Sequence, residues 1–456
     1  MDALCCNDYV DGSRNMNIIR NSYIIDPIKG ISKYKKDIIY DCNNIVEIRN
    51  SGSFNESEYD VDIECNGKLV SPGLIDIHSH FRDPGQTHKE DLISGSNAAS
   101  KGGYTTIVVM SNTLPPIDSV EKISQIIEKS LSVPVRIFIA PCITKNRAGK
   151  ELVDFQEIIE KFGTYIFGFS DDGDHLKDDN LLKEALNILD GKYPILNHAE
   201  DLDEHSNEGS VNLGIVSEKF NLIGRPKSAE IKAVKRDLEM AKETNGWIHI
   251  QHVSCEESLE LISHAKNEGV KVTCEVTPHH LFFNEDVLEN NLDSKFKVNP
   301  PLRTKKDMNS CLEALKNNIL DVIATDHAPH SVKEKSGAFQ ETQSGIAWLE
   351  NSFGIVAKNT NFKFACEKMA YNPGHLFSPL FQMKLGLIEK GYKPDFNIIE
   401  DVNWNLNIDS LESKSSNYIF NNHNEPIELL GKTVMTILNG YIKFNSGELE
   451  VKIDQR

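Results

Sequence analysis

Downstream of Pro72 the chain settles into an alternation that leaves few folds open. Short apolar runs rich in β-branched residues alternate with amphipathic stretches, the pattern of βα units feeding a parallel sheet. Eight such runs can be counted, over 74–77, 105–110, 135–140, 165–169, 194–196, 247–250, 270–276 and 322–324. Helical segments are expected between them over 120–131, 181–189, 228–244 and 258–267, with Asp118 and Ser119 as candidate caps for the first. Eight parallel strands with intervening helices make the α/β class a (β/α)8 TIM barrel, which takes roughly 250 residues. Short β pieces flank it on both sides, over 17–25, 37–48 and 61–69 and again over 396–399, 432–438 and 441–445. The first three read as antiparallel sheet, and Asn439-Gly440 reads as the turn of a hairpin. The expected organisation is therefore a leader without fixed structure over 1–15, a small β-sandwich domain built from 16–70 and 391–456, and a barrel over 71–390. Residues 51–58 read as a surface loop.

In a TIM barrel the chemistry lies at the carboxyl ends of the strands, so the residues after each run carry the information. His78, His80 and Arg82 follow the first run, Ser111 and Asn112 the second, Asp171 and Asp172 the fourth. His198 follows the fifth, His252 the sixth, His279 and His280 the seventh, and Asp326, His327 and His330 the eighth. More than half of the fifteen histidines gather at these positions. In an extended strand residues i, i+2 and i+4 share a face, which aims His78, His80 and Arg82 the same way. Imidazole and carboxylate together suit zinc, and a guanidinium suits a carboxylate held by two parallel hydrogen bonds. The candidate ligands are His78, His80, His198, His252, Asp326 and one of Asp171 and Asp172. That set can hold one or two zinc ions, and two if a carboxylate bridges. Two metals about 3.5–4 Å apart can share a water and bring its pKa from ~15.7 toward ~7, which points to attack on a carbonyl carbon. His279, His280 and His327 read as structural, and His88, His175, His205 and His264 as solvent-exposed. Cys255 and Cys274 read as small apolar packing.

The bulk properties restrict the partners. A net charge of −19 argues against nucleic acid, whose phosphates demand a basic face. No apolar run approaches the ~20 residues of a membrane span, and no secretory signal is visible, so the expected location is the cytoplasm. Nine cysteines without a C-x-x-C pair fit reduced thiols.

Nine segments carry a family resemblance: SPGLIDIHSHFRDPG, KGGYTT, MSNT, FSDDG, NHAED, QHVS, CEVTPHH, VNPPLR and ATDHAPH. Through the barrel and into the flanking β-domain, the chain resembles the cyclic amidohydrolases of the amidohydrolase superfamily, most closely the class I dihydroorotases of bacterial type. The resemblance implies a hydrolase of cyclic amide C–N bonds that interconverts N-carbamoyl-L-aspartate and L-dihydroorotate in de novo pyrimidine (UMP) biosynthesis. It implies that His78, His80 and Asp326 hold one metal, that His198 and His252 hold the second, and that Asp172 bridges, with Asp171 the alternative. Asp326 would be the general acid/base beside a metal-bound hydroxide. Arg82, Asn112 and His330 would hold the substrate carboxylate and Asn299 the ring, with backbone groups of Ser344 and Gly345 alongside. Related allantoinases, hydantoinases and dihydropyrimidinases carry a lysine in a G-F-K run, where this chain reads Gly168-Phe169-Ser170. A second departure replaces the usual A-P-F-G-I with Gln343-Ser344-Gly345-Ile346, which removes a stiffening proline and a phenylalanine. Beside the small-molecule substrate, the expected partners are a second copy in a homodimer and aspartate transcarbamoylase; the alternative readings are another cyclic amidohydrolase (allantoinase, hydantoinase or dihydropyrimidinase) and a non-catalytic scaffold subunit for the transcarbamoylase.

Overall fold

A ring of parallel backbone forms where the eight runs lie in the computed structural model, which describes residues 16–52, 59–422 and 425–453. Strands Leu74–Ser79, Tyr104–Met110 and Arg136–Ala140 pair in parallel, and so do Ile195–Asn197, Ile248–Ile250, Val272–Val276 and Val322–Ile323. The fourth run forms no ladder. It joins its neighbours through single bridges, Ile139 with Ile166 and Phe169 with Ile195. Pro194 faces it without an N–H to donate, and Gly168 approaches so closely that a Cβ there would lie 2.6 Å from the Pro194 carbonyl oxygen. A bridge between Ser79 and His327 closes the ring. A buried carboxylate tightens that seam: Asp76 accepts hydrogen bonds from the Thr325 N–H (2.8 Å), the Thr325 hydroxyl (2.5 Å) and the Ser79 hydroxyl (2.5 Å).

The period of two along each strand fills the barrel. Ile75, Ile77, Val108, Phe138 and Phe167 point inward, where Phe377 and Phe381 from a late helical segment plug the amino-terminal end. Each such side chain contributes about 1.5–3 kcal/mol of burial. With that end packed, the polar residues collect at the other. Helices Val120–Ser130, Asp179–Leu189, Lys227–Thr244 and Glu256–Asn267 cover the outside. Ser119 occupies the first cap position without making a side-chain cap, while Asp118 accepts from the Asn146 N–H (2.7 Å) and pairs with Lys122 (2.5 Å). Asp118 therefore fastens a loop and caps nothing.

The flanking β-domain differs from the expected antiparallel sheet. Strand Asn17–Asp26 runs antiparallel to Lys36–Tyr40 but parallel to both Val61–Glu64 and Leu69–Pro72. Asn21 sits at φ +53° and bends the strand, so its first half pairs with Val61–Glu64 and its second with Leu69–Pro72. One strand thus serves both layers of a sandwich, with Ile19, Ile63, Val70 and Ile437 between them. The 37–48 piece breaks into Lys36–Tyr40 and Ile45–Asn50 because Asp41 Oδ1 accepts from the N–H groups of Asn43 and Asn44, both at 2.7 Å. Both chain ends contribute: Phe396–Asn405 pairs with Leu69–Pro72, and Glu450–Ile453 with Val61–Glu64. Asn439 (φ +49°) and Gly440 (φ +79°) turn the expected hairpin between Glu428–Leu438 and Tyr441–Asn445. The leader over 1–15 lies outside the described residues, as does most of the loop over 51–58. Among the described residues no helix is long and apolar enough to cross a membrane, and no disulfide joins the cysteines.

Candidate metal centre

Three histidines arrive at the carboxyl end of the barrel with one ring nitrogen already committed. The His78 Nδ1–H donates to Glu275 Oε1 (2.5 Å), the His80 Nδ1–H to Asn112 Oδ1 (2.7 Å), and the His198 Nε2–H to Glu200 Oε2 (3.2 Å). These partners set the tautomers and leave His78 Nε2, His80 Nε2 and His198 Nδ1 as lone pairs. All three converge on Asp172, at 3.6 and 3.4 Å from Oδ2 and 3.5 Å from Oδ1; His252 Nε2 lies 3.6 Å from Oδ1. Two triads result, His78–His80–Asp172 and Asp172–His198–His252, all buried, with Asp172 in both. Asp326 Oδ1 stands beside the first, 2.9 Å from His80 Nε2 and 3.5 Å from His78 Nε2. The neighbouring Asp171 turns away. It accepts from the N–H groups of Ile143 (2.9 Å) and Thr144 (3.2 Å) and from the Thr144 hydroxyl (2.5 Å), tying the loops after the third and fourth runs together.

The chemistry of this donor set fits divalent cations. Asp172 Oδ1 is buried and accepts no hydrogen bond, and His252 Nε2 lies only 2.8 Å from His198 Nδ1, two ring nitrogens aimed at one point. Burial alone would lower the pKa of His78, but Glu275, Asp172 and Asp326 outweigh it and hold the ring well above its ordinary value. Burial would likewise raise Asp172 and Asp326, yet the surrounding histidines, His78 foremost, hold both well below the carboxylate range. Ionised carboxylates around neutral-capable imidazoles call for positive charge in their midst, which a cation supplies in place of a proton.

Backbone conformation marks the same place. Arg82 (φ +56°), His252 (φ +34°) and Asp326 (φ +47°) all sit in the left-handed region that non-glycine residues avoid. Such positions cost about 1–3 kcal/mol each and gather at functional sites.

Above the triads opens a cavity of about 490 Å³, lined among others by Arg82, Asn112, Asn299, His330, Ser344 and Gly345. Arg82 Nε, Asn299 Oδ1 and His330 Nδ1 are buried there without a hydrogen-bond partner, Glu334 Oε2 lying 3.9 Å from the last. Burial brings the Arg82 pKa down to about 10, with Asp326 and Asp172 opposing, so the guanidinium stays charged at neutral pH. Burial, then Arg82 and Lys89, push His330 down to about 2, leaving it neutral, and its Nε2–H donates to the Ser344 carbonyl at 2.9 Å. The backbone groups of Gly345 are already engaged. Its N–H donates to the Lys297 carbonyl (2.8 Å), and its own carbonyl accepts from Lys335 Nζ (3.1 Å) and Asn417 Nδ2 (2.9 Å).

Of the residues expected to be structural, His279 accepts from Trp348 Nε1 and His327 from the Trp348 N–H, while His280 bonds Thr277 and the Pro300 carbonyl. His175 departs from its expected exposure: it is half-buried with Nδ1 3.5 Å from Asn197 Nδ2, because the Asp171 turn folds it back against the fifth strand. Sequence reading passed over Glu275 and Glu200. A lone glutamate inside the apolar run Val272–Val276 was the available signal for the first.

A family profile described as Dihydro-orotase-like matches residues 67–258. A dihydroorotase of Carboxydothermus hydrogenoformans is 39% identical over 418 residues, covering 90% of this chain and 94% of that protein. A dihydroorotase of Clostridioides difficile is 38% identical over 441 residues, 94% of this chain and all of the relative (100%). Among solved structures, an L-hydantoinase (dihydropyrimidinase) from Arthrobacter aurescens superposes with a TM-score of 0.79 at 23% identity, covering 95% of this chain and 97% of the other, a likeness of fold.

Proposed function

The chain belongs to the dihydroorotase family, and from that premise we infer that it interconverts N-carbamoyl-L-aspartate and L-dihydroorotate, a cyclic amide hydrolysis and its reverse. His78, His80 and Asp326 would hold one zinc ion and His198 and His252 a second, with Asp172 shared between them. Bound there, the cations would supply an acidified water and polarise the ring carbonyl.

The side chains of this protein do the rest. Arg82, Asn112 and His330 surround the exocyclic carboxylate: the guanidinium donates to it, and with Asn112 Oδ1 taken by His80 the Asn112 amide nitrogen donates as well. His330, whose Nε2–H is spent on Ser344, joins through Nδ1 when the arriving anion draws a proton onto the ring. Asn299 meets the ring. In ring opening a C–O bond forms as the C–N bond breaks; Asp326 takes the proton of the attacking water and returns it to the departing nitrogen, and in ring closure it does the reverse. Its left-handed backbone aims it at the cavity from the end of the eighth strand.

The observation that carries this reading is Arg82, a buried guanidinium whose Nε has no protein partner and which looks into the same cavity as the twin triads. It is a cation waiting for an anion, and of the cyclic amides considered dihydroorotate brings a carboxylate. Hydantoin, allantoin and dihydropyrimidine hydrolysis are disfavoured by Ser170, which stands where those enzymes carry a lysine and spends its hydroxyl on the Leu196 carbonyl (2.8 Å). The test loads purified protein with zinc and assays dihydroorotate, hydantoin, allantoin and dihydrouracil, alone and with aspartate transcarbamoylase. Turnover of dihydroorotate is expected. Arg82→Ala should retain the metal while KM rises about 100-fold. Turnover of an uncharged ring in preference to dihydroorotate overturns the reading. We also propose a cytoplasmic location, a homodimer and a barrel spanning 71–390; gel filtration with and without the transcarbamoylase tests the assembly.

A further inference from the structure

We propose that Lys297 is a positioning residue of the substrate site, holding the 331–345 segment as a wall over the cavity. This rests on the reading of the cavity given above. Lys297 lies two residues before Asn299, between the seventh and eighth strands, and only 6% of it is exposed. Its Nζ donates to three backbone carbonyls of one segment, Phe339 (3.0 Å), Gln340 (2.8 Å) and Thr342 (2.6 Å). An ammonium has three N–H groups, and all three are spent here. Burial, then Arg225, lower its pKa to about 8, and no carboxylate offsets them. A buried ammonium without a counter-ion is costly, so its retention at the rim of a site asks for a role.

The same residue clips the segment a second time, through the Gly345 N–H on its own carbonyl at 2.8 Å. Lys335 adds bonds to the carbonyls of Gln343 (2.8 Å) and Gly345 (3.1 Å). The Ser344 carbonyl, fixed between these ties, receives the His330 Nε2–H. Lys297 therefore acts on substrate through others: it sets Ser344, Ser344 sets the His330 ring, and His330 faces the cavity. Here lysine bonds to carbonyls do the stiffening that a proline at 343 would have done.

The experiment compares the zinc-loaded protein with Lys297→Met, reading KM and kcat for dihydroorotate, metal per chain, Tm, and the rate of tryptic cleavage after Lys333 and Lys335. The expected result is a KM raised about tenfold with kcat within threefold, metal unchanged and cleavage several-fold faster. A lower Tm with KM and cleavage unchanged overturns the proposal and leaves Lys297 a fold-stabilising residue only. A fall in kcat at constant KM overturns it as well. If Lys297→Met does not fold, Lys335→Met carries the KM, kcat, metal and Tm readouts, with cleavage followed after Lys333 alone in both proteins. Should the wild-type protein fail to turn over dihydroorotate, the functional reading falls, while the cleavage rates still judge the wall.

Discussion

The floor of the cavity and the wall above it are held by opposite kinds of bond. On the floor, side chains hold side chains: His78 and His80 lean on Glu275 and Asn112 from other strand ends, His198 leans on Glu200 from its own, and those ends are fixed by the barrel. In the wall, side chains hold backbone: two lysines collect the carbonyls of a segment that has little regular structure of its own. A floor of this kind is rigid to within the packing of the barrel. A wall of this kind is only as firm as a few ammonium contacts. The difference assigns positional accuracy to the reaction and adjustability to substrate entry.

The comparison breaks most severely at Asp172, the one group common to both triads. Asp172→Asn keeps the shape and removes the charge, and kcat should fall by about 10³ or more with metal content at least halved, measured by elemental analysis beside the assay. If activity and metal both persist, the floor does not depend on a shared carboxylate. A smaller loss is expected one layer out. Glu275→Gln should weaken metal affinity about 10–100-fold through His78 while leaving KM for dihydroorotate nearly unchanged at saturating metal, read by chelator competition.

The smallest effect belongs to the wall and is set by pH. Burial would raise the pKa of Glu334, but the Ser331 N–H and hydroxyl, then Lys89, bring it from 4.5 down to about 2. A carboxylate depressed in the folded state stabilises above its ordinary pKa and loses that contribution as pH falls from about 4.5 toward 2. Amide exchange over 331–345, corrected for intrinsic rates, should therefore quicken a few-fold at pH 3 relative to pH 6. In Glu334→Gln the two pH values should agree. Equal exchange in the unmodified protein would show that the lysines alone hold the wall.

The two regions were also unequally legible from sequence. The floor could be read because strand alternation converts spacing into direction: once 74–77 is a strand, His78 and His80 must share a face. The choice between Asp171 and Asp172 could not be read, since both occupy one turn and the direction of each is decided by Thr144 on a different loop. The fourth run was legible as a segment but not as bridges without a ladder, because the cause is Pro194 on the facing strand. The small domain was legible in its strands and mistaken in its sense, as the bend at Asn21 lets one strand serve two layers. The wall was nearly invisible. Lys297 donates to carbonyls, and every residue has one, so no residue type at 339–345 announces the contact.

Arg82, His252 and Asp326 share a backbone conformation that glycine would adopt without strain, and this has an evolutionary consequence. At about 1–3 kcal/mol apiece, the three together hold back stability comparable to a sizeable share of a domain's net folding free energy. Replacement of any of them by glycine relaxes the main chain as it abolishes the function. Drift away from catalysis is therefore downhill for the fold at these positions, and only selection for turnover keeps the chain on the slope. A cation bound by the folded state alone works in the same direction as that selection, because its binding free energy adds to folding only while the ligands remain.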